Sequence, residues 1–223
     1  MSENIMEMRK NNLGGEDLLL NNTVSISGFI DKEFEFSHKV YGENFYSTTV
    51  RVSRKSGVLD YIPIILPEIF IKEYLNADVT DKFVVVTGEF RSYNAQDENQ
   101  KCHLSLFVFA TKIDFFEEGE FFENEIQLKG YLCREPVFRV TPNGREIADV
   151  MLAVNRKCNR SDYIPCIFWG RNARIVAEMQ VGDKLDLYGR VQSRKYVKNY
   201  SEEVSEEKVA YEVSVQYFAK LEK

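Results

Sequence analysis

The sequence predicts an all-β fold in which one small barrel occurs twice. Three observations lead there. The tetrapeptide Asp60-Tyr61-Ile62-Pro63 recurs as Asp162-Tyr163-Ile164-Pro165, a shift of 102 residues. Apolar and polar residues alternate at period two along much of the chain, the spacing of a half-buried strand. Helical spacing is confined to one short stretch in each copy.

The repeat is carried by more than one motif. The same offset takes Asn22-Thr23-Val24 to Asn124-Glu125-Ile126, Gly28-Phe29 to Gly130-Tyr131, and Val50-Arg51-Val52 to Leu152-Ala153-Val154. Gly88 matches Gly189 after one deletion. Correspondences in one order at one offset define two copies of a unit of about 100 residues.

In the first copy Val24, Ile26 and Ile30 alternate with Ser25 and Ser27, and in the second Ile126 and Leu128 alternate with Gln127 and Lys129. Both runs read as opening strands. Thr141-Pro142-Asn143-Gly144 is a turn, because Pro presets φ and Asn-Gly tolerates positive φ. It joins a strand at 137–140 to one at 147–154 as a hairpin. Further strands are predicted at 164–169, at 185–197 and at 209–217, with Gly189 marking a bend or bulge in the long one. Ile175, Val176 and Met179 stand at helical spacing within 171–180, with Gly182 beyond. The counterpart helix is expected from Pro67 to about Asn76, Pro being well suited to a first helical position. Five strands with one short α-helix between strands 3 and 4 describe an OB-fold, a small Greek-key barrel, so the fold class is two tandem OB-fold five-stranded barrels. The expected organisation is an arm at 1–20, a divergent barrel at 21–113, an acidic-aromatic linker at 114–123 and a second barrel at 124–223. The apolar end of the arm, Leu18-Leu19-Leu20, is expected to pack on the first barrel. Connection between barrels is the expected role of the run DFFEEGEFFENE, in preference to a motif that imitates a DNA ligand.

Composition narrows the function. No run approaches the ~20 apolar residues of a membrane span, and MSENIMEMRK lacks the apolar core of a signal peptide, so a soluble cytoplasmic protein without membrane contact is expected. Cys102, Cys133, Cys158 and Cys166 have no C-x-x-C spacing and only His38 and His103 supply imidazole. No metal or other cofactor is therefore expected, and the thiols read as buried or partly buried. His38 is expected in a loop. Neither a phosphate-binding Gly-rich loop nor H-E-x-x-H occurs, and no histidine is paired in the repeat for a nucleophile to use, so an enzyme is not expected. The net charge of −6 seems to oppose nucleic acid, but it is uneven. Residues 1–120 hold 12 Lys and Arg against 20 Asp and Glu, a net of −8, and residues 121–223 hold 17 against 15, a net of +2.

In the second copy aromatics and cations interleave: Phe138-Arg139, Arg156-Lys157, Arg160 with Tyr163, Trp169 with Arg171, and Arg194-Lys195-Tyr196-Val197-Lys198. Single-stranded nucleic acid needs both, since bases stack on aromatic faces and cations follow phosphates. Core filling is the expected role of Phe138 and Phe168. Strand alternation puts Trp169 out of phase with Phe168, so Tyr163, Trp169 and Tyr196 are expected on the binding face.

These residues lie in a recognisable pattern. N-E-I-Q-L-K-G-Y-L at 124–132, R-E-P-V-F-R-V-T-P-N-G-R at 134–145, A-D-V-M-L-A-V-N-R at 148–156, D-Y-I-P-C-I-F-W-G-R-N-A at 162–173 and V-G-D-K-L-D-L-Y-G-R-V-Q-S-R-K-Y at 181–196 follow one another. In this order and spacing they resemble the bacterial single-stranded-DNA-binding protein family. The resemblance implies an OB-fold groove that holds single-stranded DNA with little sequence preference, stacking on Tyr163, Trp169 and Tyr196. Arg139, Arg194 and Lys195 are the matching cations, and Arg156 and Arg171 join them as expected phosphate contacts. It also implies roles in DNA replication, recombination or repair, alongside proteins of those processes, and a homodimer that assembles four OB domains.

Two departures qualify the resemblance. The chain ends soon after the last predicted strand, so the acidic partner-recruiting tail common in the family is not expected. The first copy has Pro67 in place of Trp169 and Asn94 in place of Tyr196, with only Tyr61 matching Tyr163. It is expected to bind weakly or to serve in assembly. The alternative reading of the whole chain is a non-enzymatic primosome or replication accessory whose barrel surfaces bind proteins.

Overall fold

A computed structural model describes residues 21–96, 102–117, 122–199 and 205–222. The first copy folds as β1 (Asn22–Ile30), β2 (Glu35–Val40), β3 (Glu43–Ser53), β4 (Leu59–Pro67), β5 (Phe83–Gln96) and β6 (Cys102–Phe116). The second folds as β7 (Asn124–Leu132), β8 (Val137–Val140), β9 (Glu146–Asn155), β10 (Ser161–Trp169), helix α1 (Gly170–Ala177), β11 (Lys184–Asn199) and β12 (Ser205–Leu221). The predicted arm lies outside the described residues, and so does its docking.

Each copy closes on itself. β1 pairs with β5, β5 with β6, β6 with β4 in parallel, β4 with β3, and β3 returns to β1 through Phe29↔Arg51 and Ile30↔Val50. β7, β11, β12, β10 and β9 repeat the circuit, which Tyr131↔Ala153 and Leu132↔Leu152 close. β2 and β8 lie outside the circuits as hairpin partners of β3 and β9. His38 therefore stands in a strand, stacked on Phe45 with ring centroids 5.0 Å apart. Closure leaves few open edges, and alternation turns one side of each strand inward. Val24, Ile26, Val50, Ile64 and Phe90 fill the first barrel, and Leu128, Leu152, Ile164, Phe168 and Leu187 the second. Each such side chain contributes roughly 1.5–3 kcal/mol by leaving water.

The two barrels join through their first strands. β1 and β7 run antiparallel from Asn22↔Leu128 to Ile26↔Asn124. Val24 stands opposite Ile126, its own repeat counterpart, so this pair marks a pseudo-two-fold axis. The resulting sheet has twelve strands in the order β2-β3-β4-β6-β5-β1-β7-β11-β12-β10-β9-β8, which reads as the same repeat unit outward from the axis in both directions.

The expected turn at Thr141–Gly144 is present: the Gly144 amide donates to the Thr141 carbonyl at 2.8 Å and Gly144 has φ +74°. Gly189 sits at the register shift of β11, and Gly88 at that of β5. A Cβ on either would lie 2.3 or 2.2 Å from a carbonyl oxygen of the neighbouring strand, so only glycine permits the close approach. The helix expected from Pro67 is not formed. Pro67 ends β4, a 3-10 turn covers Glu68–Phe70, and Tyr74 and Ala77 continue with i to i+3 bonds. The run Ile69-Phe70-Ile71, β-branched and aromatic, opposes an α-helix, whereas α1 buries Ala173 and Val176 of a better helical sequence. Strand β6 runs to Phe116, into the range expected for the linker, of which residues 118–121 lie outside the described ones. None of the helices among the described residues is long and apolar enough to cross a membrane.

Candidate nucleic-acid interface

Strand β10 organises the second barrel's outer face. Asp162, Ile164, Cys166 and Phe168 turn inward, and Tyr163 and Trp169 turn outward, 47% and 37% exposed. Trp169 Nε1 donates to Ser214 Oγ at 3.1 Å, which fixes the indole while leaving part of its face open. Phe168 is buried, as expected, edge-on to Phe218. Phe138 departs from expectation: it is 41% exposed, because β8 is an outermost strand with both sides in solvent.

Arg139 lies beside this face. Its guanidinium holds Asp149 through Nε at 2.6 Å and Nη2 at 3.3 Å, and that carboxylate raises its pKa. Arg171, in the first turn of α1, is exposed and makes no ion pair among the described residues. The remaining expected residues ride on the long β11–β12 hairpin. Arg194 lies 3.6 Å from Glu212 and 5.8 Å above the ring of Tyr196, which is 37% exposed. Lys195 donates to Glu207 at 2.8 Å, which raises its pKa.

Arg156 has a different position. Its Nε donates to Asp162 at 2.7 Å, its Nη2 also contacts Asp162, and Nη2 reaches the Ser92 carbonyl of the first barrel at 2.9 Å. Ser92 answers through its amide to Asp162 at 2.6 Å, and its hydroxyl accepts from the Tyr163 amide at 2.8 Å. The first copy repeats this contact in reverse. Arg54 holds Asp60 at 2.6 Å and the Ser193 carbonyl at 2.9 Å, and Ser193 donates to Asp60 through its amide and hydroxyl at 2.7 and 2.8 Å. Both aspartates are buried. Burial pushes the Asp60 carboxyl up, but the bonds from Arg54 and Ser193 outweigh it and hold the group below its ordinary value. Arg156, expected as a phosphate contact, thus also forms half of a clamp between barrels. The Arg-x5-Asp spacing occurs in both copies of the sequence, but nothing local discloses that its partner is a serine some 70 residues upstream in one copy and 133 downstream in the other.

The seam next to Arg156 opens into a cleft of about 630 Å³. Among the described residues Arg91, Lys129, Arg156, Lys157 and Lys184 line it, against Glu89 and Asp162. The second seam cleft has Lys55 and Glu125 as its charged residues. Cations from both copies therefore meet at one seam, although the first copy is acidic overall. Cys166 is buried, and its thiol is pushed up by burial, whereas Cys133 and Cys158 are exposed, contrary to the expected burial. The described residues contain no group of His, Cys, Asp and Glu placed to hold a metal.

The Single-strand binding protein family matches residues 123–219. The chain is 37% identical over 101 residues to a single-stranded DNA-binding protein of Halalkalibacterium halodurans, covering 42% of this chain and 60% of that one. It is 38% identical over 101 residues to single-stranded DNA-binding protein A of Bacillus subtilis, covering 42% and 58%. Against protein B of the same organism it is 35% identical over 80 residues, covering 33% and 71%. The chain thus spans about 60% of the length of the first two relatives. In structure it is similar to the wild-type single-stranded DNA binding protein from Thermus aquaticus, with a TM-score of 0.72 at 20% identity, over 91% of this chain and 93% of that one. This likeness extends the OB-fold assignment across both copies.

Proposed function

The chain belongs to the single-strand binding protein family, and from that premise we propose that it binds single-stranded DNA with little sequence preference. The observation that carries the proposal is the outward pair Tyr163 and Trp169 on one strand, beside Arg139 and Arg171. Stacking on such rings contributes ~1–3 kcal/mol per base without reading its identity. Arg194, Lys195 and Tyr196 supply a second group of the same chemistry on the β11–β12 hairpin. The basic seam cleft offers a path for phosphates despite the net charge of −6. Two barrels per chain make a homodimer of four barrels the proposed assembly, acting in replication, recombination or repair.

Trp169 is the only tryptophan, so its fluorescence reports on one place. Titration with oligo-dT is expected to quench it, with log affinity falling against log salt by ~0.7 per phosphate neutralised. Trp169→Ala should weaken binding by ~1–3 kcal/mol. Absence of both quenching and oligonucleotide retention at low salt overturns the proposal and leaves the protein-binding accessory as the reading.

A further inference from the structure

The outer face of the first barrel carries aromatics at positions where the second has polar residues. Gly88 pairs with Ala110 and Gly189 with Val215, so Phe109 is the counterpart of Ser214, Phe107 of Glu212 and Tyr93 of Arg194. The parallel pairs Ile65↔Phe109 and Ile167↔Ser214 give the same match. In the second barrel Trp169 Nε1 reaches across to Ser214 Oγ at 3.1 Å, so the indole covers that position. In the first, Pro67 has no aromatic ring to send there. Phe109 stands there itself, its ring centroid 5.8 Å from that of Phe45, which pairs with Pro67 from β3. The aromatic has moved one strand over, from β4 to β6, and has stayed on the same face. Phe107 and Phe109 alternate with buried Leu106, Val108 and Ala110 and remain partly in water. Phe107 supports Tyr93, 51% exposed, edge-on at 5.7 Å. The Arg91 guanidinium stands 4.2 Å from the centroid of Phe109, held by its Nε and Nη2 bonds to Glu89 at 2.9 and 2.7 Å. Arg91 also lines the basic seam cleft.

We infer that the first barrel has a base-stacking site of its own, built on Phe109 with Arg91 over it and continued by Phe107 and Tyr93, and that Arg91 joins this site to the seam cleft. The inference rests on the proposed binding of single-stranded DNA and adds a site in the copy that lacks a Trp169 counterpart. Bases stack on guanidinium planes as well as on rings, and a guanidinium over a ring is further favoured by the cation–π attraction. The ring contacts and the bonds to Glu89 order this row before DNA arrives, so little side-chain freedom is lost on binding. The acidity of the first copy does not oppose it, because Lys129, Lys157 and Lys184 of the second copy line the same cleft as Arg91 and attract the phosphates on either side of the stacked bases.

The test moves the reporter into the first barrel. In the full-length chain carrying Phe109→Trp and Trp169→Phe, saturating oligo-dT is expected to quench the fluorescence from position 109, with saturation established independently by anisotropy of a labelled oligonucleotide. Bound oligonucleotide with unquenched fluorescence at 109 overturns the inference and leaves the proposed function standing. Failure of the unaltered protein to bind overturns both. A second measurement does not depend on the reporter. Phe109→Leu keeps an apolar side chain and removes the ring; it should weaken binding about 5- to 150-fold with the urea midpoint held, while Phe109→Tyr should bind as the unaltered protein does. Arg91→Gln should lower the salt slope of binding. Undiminished affinity in Phe109→Leu, or a loss matched by an equal fall in stability, overturns the inference.

Discussion

Ser193 donates to Asp60 through both its amide and its hydroxyl, from a position 133 residues away and in the other barrel. Ser92 donates to Asp162 in the reverse sense. With Arg54 and Arg156 these pairs lock the barrels on either side of the β1–β7 ladder, so the barrels should behave as one cooperative unit.

Removing a clamp carboxylate strands a half-buried guanidinium and unpairs a serine. Asp60→Ala or Asp162→Ala should each lower stability by ~3–5 kcal/mol, the range for breaking a buried ion pair, as measured by urea unfolding. Losses within the scatter of exposed-site controls such as Asp78→Ala would show that the clamps contribute nothing.

Acid should act at the same place. The folded Asp60 carboxyl lies below its ordinary value of 3.8, so the unfolded chain binds that proton more readily. Its stabilisation is complete above the unfolded value and is lost as pH falls through the folded one. Unfolding midpoints should therefore decline below about pH 4, and Asp60→Asn should flatten that decline. An identical pH profile in the variant would remove Asp60 as a cause.

Arg156 and Arg171 should separate cleanly despite their similar appearance in sequence. Arg171→Ala is expected to reduce the salt slope of oligo-dT binding by up to ~0.7 with stability unchanged, because no ion pair holds it among the described residues. Arg156→Ala should instead destabilise the fold, read by thermal unfolding without DNA. A normal melting temperature for Arg156→Ala would return it to the phosphate contacts.

Gly189→Ala forces a methyl group to 2.3 Å from the Ser214 carbonyl oxygen. The strands must separate, which should cost about 1–3 kcal/mol as overpacking does and re-aim the β11–β12 hairpin. Both a lower unfolding midpoint and weaker oligo-dT binding are expected. Full stability with full binding would mean that the bulge is not what sets the hairpin.

Arg190 offers an improvement. Its Nε is buried without a partner among the described residues, and burial followed by the nearby Arg54 charge lowers its pKa. Its counterpart in the first copy, Glu89, stands where it attracts Arg156. Arg190→Gln should raise stability by ~0.5–2 kcal/mol, the usual gain from relieving such a site. A lower midpoint would show that the arginine is satisfied in another way.

Local chemistry made much of the molecule legible. The 102-residue repeat, the period-two strands, the Thr141–Gly144 turn and the bulge at Gly189 follow from spacing and backbone preference. Helix α1 was equally readable, and so was the outward turn of Trp169, because inward Phe168 fixes the phase of β10. The first copy's expected helix rests on Pro67 and on the position of α1 in the second copy, and neither distinguishes an α-helix from the 3-10 turn and tight turns that the chain forms there. Phe138 was misread because alternation assigns a side of a strand but does not say whether anything covers that side.

The sequence by itself determined that there are two barrels and that the second carries an aromatic and basic face. Tertiary structure alone decided how they are joined: Val24 against Ile126, the hairpins crossing the seam, and Arg156 paired with Asp162 and Ser92. The reason is physical. Strand phase and turn geometry depend on neighbours along the chain, whereas a guanidinium pairs with whichever buried carboxylate or carbonyl the packing brings within 3 Å, and that partner can lie in the other barrel.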